Sequence, residues 1–252
     1  MRGSTVDICG CFPTGRHYPG IADRIAKAVT QVAGLADEFP HDLEWMNASF
    51  AVIDFETTGL DPEKDRILEI GIVCFDGGRL SKRHNFLVNP DMPVPEEAKK
   101  IHGIGDEELA QAPKFEELFP DIVGHLTGRL PVAYNADFDR RFLRAEFARI
   151  SWELEDSPPP ALRADVIWID PLVWVRELQK YEKRKKLTDV CERMGIPLEQ
   201  AHRAAGDAEA TGLVLLALGK DLPQTYSELI RIQTQYAAQQ EAEMFSWRGR
   251  KG

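Results

Sequence analysis

The pattern of apolar and polar positions changes at about residue 49, where short apolar runs bounded by turn-forming residues begin to predict β-strands. The first run is "SFAVIDFE". The second is "RILEIGIVCFDGGRLSKRHNFLV", in which Asp76-Gly77-Gly78 predicts a hairpin turn between two strands. Two later runs, "RLPVAYN" and "ADVIWID", predict further strands. Five strands are therefore expected.

Segments with apolar residues at helical spacing predict helices between and after these strands. They are PEEAKKIHGI, KFEELFPDIVGHLTG, DFDRRFLRAEFARI, PLVWVRELQKY, LTDVCERMG and AGDAEATGLVLLALGK. Three strands followed by alternating strands and helices are typical of an α/β fold in which helices cover a mixed sheet. We expect this domain to span residues 49–219, between a partly helical extension (1–48) and a helical tail with a basic tip (220–252).

The composition is that of a globular protein. The chain has 252 residues, of which 43% are hydrophobic and 29% are charged. That length allows one well-buried core with extensions, or two small domains. No 18-residue window is wholly apolar and the N-terminus lacks an apolar signal segment, so the sequence predicts no membrane span and a cytoplasmic location.

The charge limits the functions that the chain can perform. A formal net charge of −10 argues against a protein that coats nucleic acid by bulk electrostatics. It does not exclude an enzyme that meets a phosphate chain through metal ions and a few basic side chains. One basic run, "KYEKRKK", interrupts the acidic background. It is either a solvated surface or a phosphate-binding segment.

Four cysteines are present, and none predicts a metal site. Cys74 and Cys191 lie in apolar, periodic segments and are expected in the core. Cys9 and Cys11 form a single C-x-C that lacks the paired spacing of zinc ligands, which favours a surface thiol pair.

Two acids close the first strand. Asp54 and Glu56 are two residues apart, so they project from the same face of a strand. Two like charges at such a short distance are unfavourable unless a cation neutralises them, and Mg²⁺ prefers carboxylate oxygens. The alternative is a solvated turn, because "DFETTGLDP" is rich in turn formers.

Two later stretches also place acids at the ends of elements. Asn135, Asp137 and Asp139 stand between a predicted strand and a helix, and Asp207 begins an apolar helix five residues after His202. Each acid alone is explained by helix capping. Capping explains one acid in the first stretch well and two poorly.

Together these stretches resemble the DnaQ-like 3′–5′ exonucleases of the DEDDh group, which includes the proofreading epsilon subunit of bacterial DNA polymerase III. The motifs are IDFETTGLDP, YNADFDRRFL and HRAAGDAEAT. In the second motif the acid matched to the family is Asp139 rather than Asp137. Tyr134 stands where the family commonly has His. The resemblance covers roughly residues 49–219 and implies an RNase H-like fold with a five-stranded mixed sheet.

The resemblance also implies a site. Asp54, Glu56, Asp139 and Asp207 would be ligands of two Mg²⁺ ions, for which Mn²⁺ would substitute, and His202 would be the general base. The implied reaction is hydrolysis of the terminal phosphodiester at a single-stranded 3′ end. By analogy with the family, the substrate-binding residues would be Thr57, Thr58, Gly59, Leu60, His102, Ile104 and Asn135.

The substrate and partners stay open at this stage. DNA is favoured, as in epsilon-type proofreading, and the alternative is an RNA-directed enzyme like oligoribonuclease or RNase T. Two other possibilities are a two-metal endonuclease or phosphotransferase, and a polymerase- or nucleic-acid-binding module with a dead site. The terminal extensions are candidate docking segments for a DNA polymerase or replication protein.

Overall fold

Strand β1, which carries the first two acids, lies inside the sheet. The computed structural model describes residues 32–150, 158–198 and 201–249. Within them, four strands form one mixed sheet in the order β3-β2-β1-β4. The strands are β1 (Ser49–Thr57), β2 (Ile67–Asp76), β3 (Arg79–Leu87) and β4 (Leu130–Val132). β1 pairs antiparallel with β2 along its length and parallel with β4 at residues 50–52, so its C-terminal end pairs with β2.

The described chain also forms α-helices between and after these strands. They are α1 (Glu96–His102), α2 (Asp106–Leu109), α3 (Phe115–Leu126), α4 (Ala136–Arg149), α5 (Pro171–Leu178), α6 (Leu187–Met194), α7 (Ala204–Leu218) and α8 (Tyr226–Gly249). Each predicted helix between residues 95 and 219 is present. Helix α2 was not predicted, because a single turn shows no apolar period. The predicted N-terminal helix begins, like Cys9 and Cys11, outside the described residues.

The hairpin between β2 and β3 turns where the sequence predicts. Gly77 and Gly78 have φ angles of 57° and 72°, in the left-handed region. Both central residues of a type I′ hairpin turn need such angles, which glycine adopts without steric cost.

The predicted fifth strand is wrong. Residues 164–170 make one isolated parallel bridge, Val132↔Ile169, and no extended ladder. The reason is that the neighbouring backbone groups bond elsewhere. Ile167 N–H donates to the Gly34 carbonyl, and Asp170 N–H donates to the side chain of Gln233. The sheet is still mixed, as predicted.

Helices cover both faces of the sheet, as predicted. On one face, Ile53 and Ile72 belong to a buried cluster with Phe119 of α3 and Phe142 of α4. On the other face, α7 packs so closely that a Cβ at Gly212 would lie 2.4 Å from the ring of Phe75. The acids of β1 face this second layer.

Helix α8, which follows residue 219 in the chain, packs against the domain. Tyr226, Leu229 and Ile230 are fully buried. Gln233 accepts a hydrogen bond from Asp170 N–H (2.9 Å) and donates one to the Trp168 carbonyl (2.8 Å). The chain divides into two compact units, Met1–Val32 and Ala33–Gly252, and the strands and helices given above belong to the second unit. Among the described helices, none has the length and apolarity needed to cross a membrane.

Candidate active site

The C-terminal end of β1 presents two acids to helix α7. Ala51, Ile53 and Phe55 point into the core cluster, so the alternating residues Asp54 and Glu56 share the opposite face. Both acids are half-buried. A strand end therefore carries two carboxylates into a partly dry environment, where they need a counter-charge.

Gly71 lets α7 approach these acids. It lies opposite Asp54 in the β1–β2 ladder. A Cβ at this position would lie 2.3 Å from the carbonyl carbon of Ala204, in the first turn of α7. Any larger residue would push the helix off the sheet. The contact brings Asp207, one turn further along α7, to the end of β1.

A buried ion pair fixes the same helix to β2. Glu69 is fully buried and lies opposite Glu56 in the ladder. Its carboxylate accepts hydrogen bonds from the Arg203 guanidinium at 2.6 Å and the Ala204 N–H at 2.9 Å. Burial raises the pKa of Glu69, but its hydrogen bonds to Arg203, Asn85 and Ala204 outweigh this and leave it below the ordinary value. Glu69 therefore stays ionised and holds the residue after His202.

His202 stands at the rim of the acidic cluster. Its φ of 65° lies in the left-handed region, and its side chain is exposed. Its backbone N–H donates to the Asp207 carboxylate at 2.9 Å. One potential ligand atom each from Glu56, His202 and Asp207 lie within 4.8 Å of one another. An imidazole and two carboxylates thus surround one small volume.

Asp139 reaches the cluster from α4, whose start is held by another acid. The Asp170 carboxylate accepts the N–H groups of Asn135 and Ala136 at 3.0 Å each, and that of Leu172 at 2.9 Å. It caps the starts of α4 and α5 together. Asp139, one turn into α4, is almost fully buried. Burial raises the pKa of Asp139 above its ordinary value, and a backbone hydrogen bond with Phe55 opposes part of this rise.

The four acids repel one another. Burial, followed by the charges of Asp139, Asp207 and Glu56, raises the pKa of Asp54 well above its ordinary value. Burial and the charges of Asp207 and Glu69 raise the pKa of Glu56 to about 8. The pKa values of Asp139 and Asp207 are also raised, mainly by burial. Such a cluster ionises fully only beside cations, and an all-carboxylate donor set fits hard divalent ions.

The hydroxyl groups of Thr57 and Thr58 form hydrogen bonds within the loop that follows β1. The Thr57 hydroxyl donates to the Gly59 carbonyl at 2.6 Å, and the Thr58 hydroxyl donates to Asp65 at 3.0 Å. A Cβ at Gly59 would lie 2.4 Å from the Asp65 carboxylate, so a larger residue there would displace that side chain. Leu60 is 80% exposed at the tip of the turn. Among these four predicted contacts, Leu60 is the side chain free to meet a base.

The other predicted substrate contacts are placed differently. Ile104 is 0% exposed in a small core cluster, so it supports the α1–α2 turn rather than reaching a ligand. His102 is also buried, and its Nδ1 accepts the Ile104 N–H at 3.0 Å. Burial lowers the pKa of His102. Asn135 is exposed, with a left-handed φ of 68°, and lines the cavity beside the acids.

Sequence reasoning missed the residues that position the site, namely Glu69, Gly71, Asp170 and Arg203. Two of them carried a local signal. Glu69 is an acid within the apolar run "RILEIGIVCF", where a buried partner is required, and Asp170 precedes a proline that begins a helix. Neither signal names the partner.

A cavity of about 700 Å³ opens beside the acids. Its lining includes Asp54, His202 and Asp207 together with Tyr134 and Asn135. The acidic cluster therefore lies in a cleft rather than on a flat surface. This is the usual setting of a catalytic site.

Comparison with known protein families gives one strong match. The model of the RNase T family, described as an exonuclease, matches residues 51–215. A DNA polymerase III of PolC type from Thermotoga petrophila is 34% identical over 194 residues, which are 76% of this chain and 13% of that protein. The 3′–5′ exonuclease DinG of Staphylococcus haemolyticus is 31% identical over 170 residues, 68% of this chain and 18% of that protein. The chain thus spans less than a fifth of these relatives.

Solved structures share the fold. Exonuclease X in complex with 5′-overhanging duplex DNA is 25% identical, with a TM-score of 0.57 over 73% of this chain and 99% of that one. The nuclease domain of 3′hExo, a DEDDh family member bound to rAMP, has a TM-score of 0.58 at 16% identity, over 71% of this chain and 95% of that one. Exonuclease I of E. coli with a dT13 oligonucleotide gives 0.58 at 22% identity, over 68% of this chain and 41% of that one.

Proposed function

The chain belongs to the RNase T exonuclease family, and we propose that it is a metal-dependent 3′–5′ exonuclease that acts on single-stranded DNA. We further propose that residues 49–219 carry the catalysis, as the motifs predict. The observation that supports this most is the convergence of four acids and one histidine. Asp54 and Glu56 at the end of β1, Asp139 on α4 and Asp207 on α7 form one repulsive cluster, with His202 at its rim.

The four carboxylates would hold two Mg²⁺ ions, for which Mn²⁺ would substitute. Bound there, the ions would supply a water of lowered pKa and stabilise the leaving oxygen of an in-line displacement. Asp54 would be among the ligands, because the charges of Asp139, Asp207 and Glu56 all act on it.

His202 is the proposed general base. Its exposed imidazole lies beside Glu56 and Asp207, where it can accept a proton from the attacking water. Oxygen from water forms a bond to the terminal phosphorus, and the bond from phosphorus to the 3′ oxygen of the preceding nucleotide breaks. The products are a nucleoside 5′-monophosphate and a shortened strand with a 3′ hydroxyl.

DNA is proposed as the main substrate. The names of the relatives, a DNA polymerase III of PolC type and DinG, support this, as does exonuclease X with its DNA duplex. RNA is the second candidate, because the nuclease domain of 3′hExo is bound to rAMP. Proofreading with a polymerase or replication protein, docked through residues 1–48 or 220–252, is the proposed setting.

The test is digestion of matched 5′-labelled single-stranded DNA and RNA oligonucleotides with Mg²⁺, with Mn²⁺ and with EDTA. The proposal expects a metal-dependent ladder that shortens from the 3′ end, faster on DNA. Faster shortening of RNA would reverse the substrate assignment. Internal cuts, or no shortening of either strand by folded, metal-supplied protein, would overturn the exonuclease assignment.

A further inference from the structure

The cavity beside the acids has a second, basic side. The cations that line it are Arg176, Lys183, Lys185 and Lys186. Three of them come from the loop between α5 and α6, in a protein whose formal net charge is −10. Such a concentration of positive charge beside a carboxylate cluster differs from a solvated surface run, because both charges face the same cleft.

The loop that carries these lysines is held in place by its backbone. The Tyr134 hydroxyl donates to the Lys185 carbonyl at 2.5 Å. The Lys185 ammonium donates to the Gln179 carbonyl, so this lysine closes the loop on itself. Arg193 of α6 donates to the Arg184 carbonyl at 3.3 Å. Lys185 and Arg193 are therefore structural cations.

Lys183 and Lys186 differ from these two. Both are exposed. Within the described part of the chain neither takes part in an ion pair, whereas their neighbour Arg184 pairs with Asp189 at 3.3 Å. They are free to meet an anion at the mouth of the cavity.

An aromatic ring continues this surface. Tyr181 is 89% exposed, and the Lys180 ammonium lies 5.2 Å from its ring centroid. Tyr181 and Lys183 line a neighbouring depression on the same loop. Alternating cations and an exposed aromatic ring are the features with which proteins hold single-stranded nucleic acid, through phosphate contacts and base stacking.

We propose that Lys183 and Lys186 bind the phosphates of the strand on the 5′ side of the terminal phosphodiester, and that Tyr181 stacks on one of its bases. This inference rests on the proposed function. The Thr57–Leu60 turn does not line the cavity with this loop, and it would receive the terminal nucleotide. The strand then leaves over the basic loop. The carboxylates repel its phosphates, so cations are needed there.

The direct test compares two double variants that each remove two lysines. Lys183→Gln with Lys186→Gln changes the proposed contacts. Lys82→Gln with Lys220→Gln removes two exposed lysines that do not line the cavity. Binding of a fluorescein-labelled dT12 is measured by anisotropy in EDTA, where metal-dependent hydrolysis stops. The first variant should bind severalfold more weakly, and its slope of log K against log salt should fall by about 1.4, since each single-strand phosphate contact contributes about 0.7. The control variant should match the wild type.

Two further arms separate this inference from the proposed function. The p-nitrophenyl ester of thymidine 5′-monophosphate has a single phosphodiester and carries no phosphate on the 5′ side of it. Its hydrolysis should be equal in the wild type and the first variant, while the KM for dT12 rises in that variant alone. A neutral methylphosphonate at the second or third linkage from the 3′ end of dT12 should weaken binding by the wild type. It should leave the affinity of the Lys183→Gln, Lys186→Gln variant unchanged.

Equal dT12 affinity and salt slope in the wild type and both variants would overturn the inference, whatever the activity. Failure of the wild type to hydrolyse either substrate with metal present would overturn the proposed function. In that case the anisotropy result would still decide whether the loop binds the strand.

Discussion

The carboxylate of Glu69, fully buried on β2, accepts the Arg203 guanidinium at 2.6 Å, one residue after His202. The two residues are 134 positions apart. Because Glu69 also accepts the Ala204 N–H, it fixes the segment that carries the proposed base to β2, the neighbour of the strand that carries the proposed metal ligands Asp54 and Glu56.

Glu69→Gln should therefore reduce kcat more than it reduces metal binding. Loss of charge-assisted hydrogen bonds should lower the unfolding free energy by about 1–3 kcal/mol. Steady-state kinetics measures kcat, and urea unfolding measures the unfolding free energy. The matched control is Arg83→Gln, which breaks the exposed 2.9 Å pair with Glu209 between β3 and α7 and should change stability by about 0–1 kcal/mol. Equal kcat in both variants would show that Glu69 does not position His202.

Asp54→Asn should abolish hydrolysis and at the same time stabilise the metal-free protein. Burial and four neighbouring acids raise the pKa of Asp54, so the folded state holds a proton that the unfolded state loses as pH rises. At pH 8 the substitution should raise the unfolding free energy by about 0.5–2 kcal/mol. The increase in Tm that Mg²⁺ gives the wild type should disappear. Differential scanning calorimetry with Mg²⁺ or EDTA measures both effects.

Asp137→Asn is the control for Asp54→Asn. Asp137 is exposed on α4, two residues from Asp139, and pairs with Arg140 at 3.1 Å. It should retain hydrolysis and the Mg²⁺-dependent rise in Tm. Retained activity in Asp54→Asn, or lost activity in Asp137→Asn, would contradict the ligand assignment.

His202→Asn should lower kcat by about a hundred- to ten-thousandfold while the fold is kept. Asn tolerates the left-handed backbone that His202 adopts at φ 65°, so the change removes the base without straining the loop. A kcat equal to that of the wild type would assign the base to another group.

The stacked pair of His84 and His125 should contribute stability that is lost as the pH falls through about 6.5. The rings of His84 and His125 lie 3.6 Å apart. Burial lowers the pKa of both, followed by Lys82 for His84 and by the charge of His84 for His125. The unfolded chain therefore binds protons at a pH where the folded chain does not. The pair's contribution to the unfolding free energy should be full above that pH and fall below it.

The measurement for this pair is urea unfolding at pH 7.5 and 5.5. His125→Gln should lower the unfolding free energy at pH 7.5 minus that at pH 5.5, whereas the exposed substitution His41→Gln should leave this difference at the wild-type size. The pair carries no special stability cost if His125→Gln keeps the full difference.

Local patterns predicted the elements of this fold well. Gly77 and Gly78 make the hairpin turn that their sequence demands, and the helices from α3 to α7 follow their apolar period. Asp54 and Glu56 share a face because any strand places residues i and i+2 together. The meeting of these acids with Asp139 and Asp207 came from the family resemblance, since spacing alone also fits helix caps.

Contacts between distant segments could not be predicted in the same way. The strand expected at residues 164–170 ends early because Gln233, more than 60 positions later, takes the Asp170 N–H. Ile104 was expected at the substrate and is buried, since its neighbours in the cluster come from β2 and the following helices. Such partners are decided by packing, which no single window of sequence contains.

The most direct test of the central claim is hydrolysis of single-stranded DNA in H₂¹⁸O with Mg²⁺, with mass spectrometry of the released products. The account predicts deoxynucleoside 5′-monophosphates that carry one ¹⁸O in the phosphate, released from the 3′ end, and none with Asp54→Asn. Nucleoside 3′-monophosphates, or internal fragments that persist in EDTA, would contradict it.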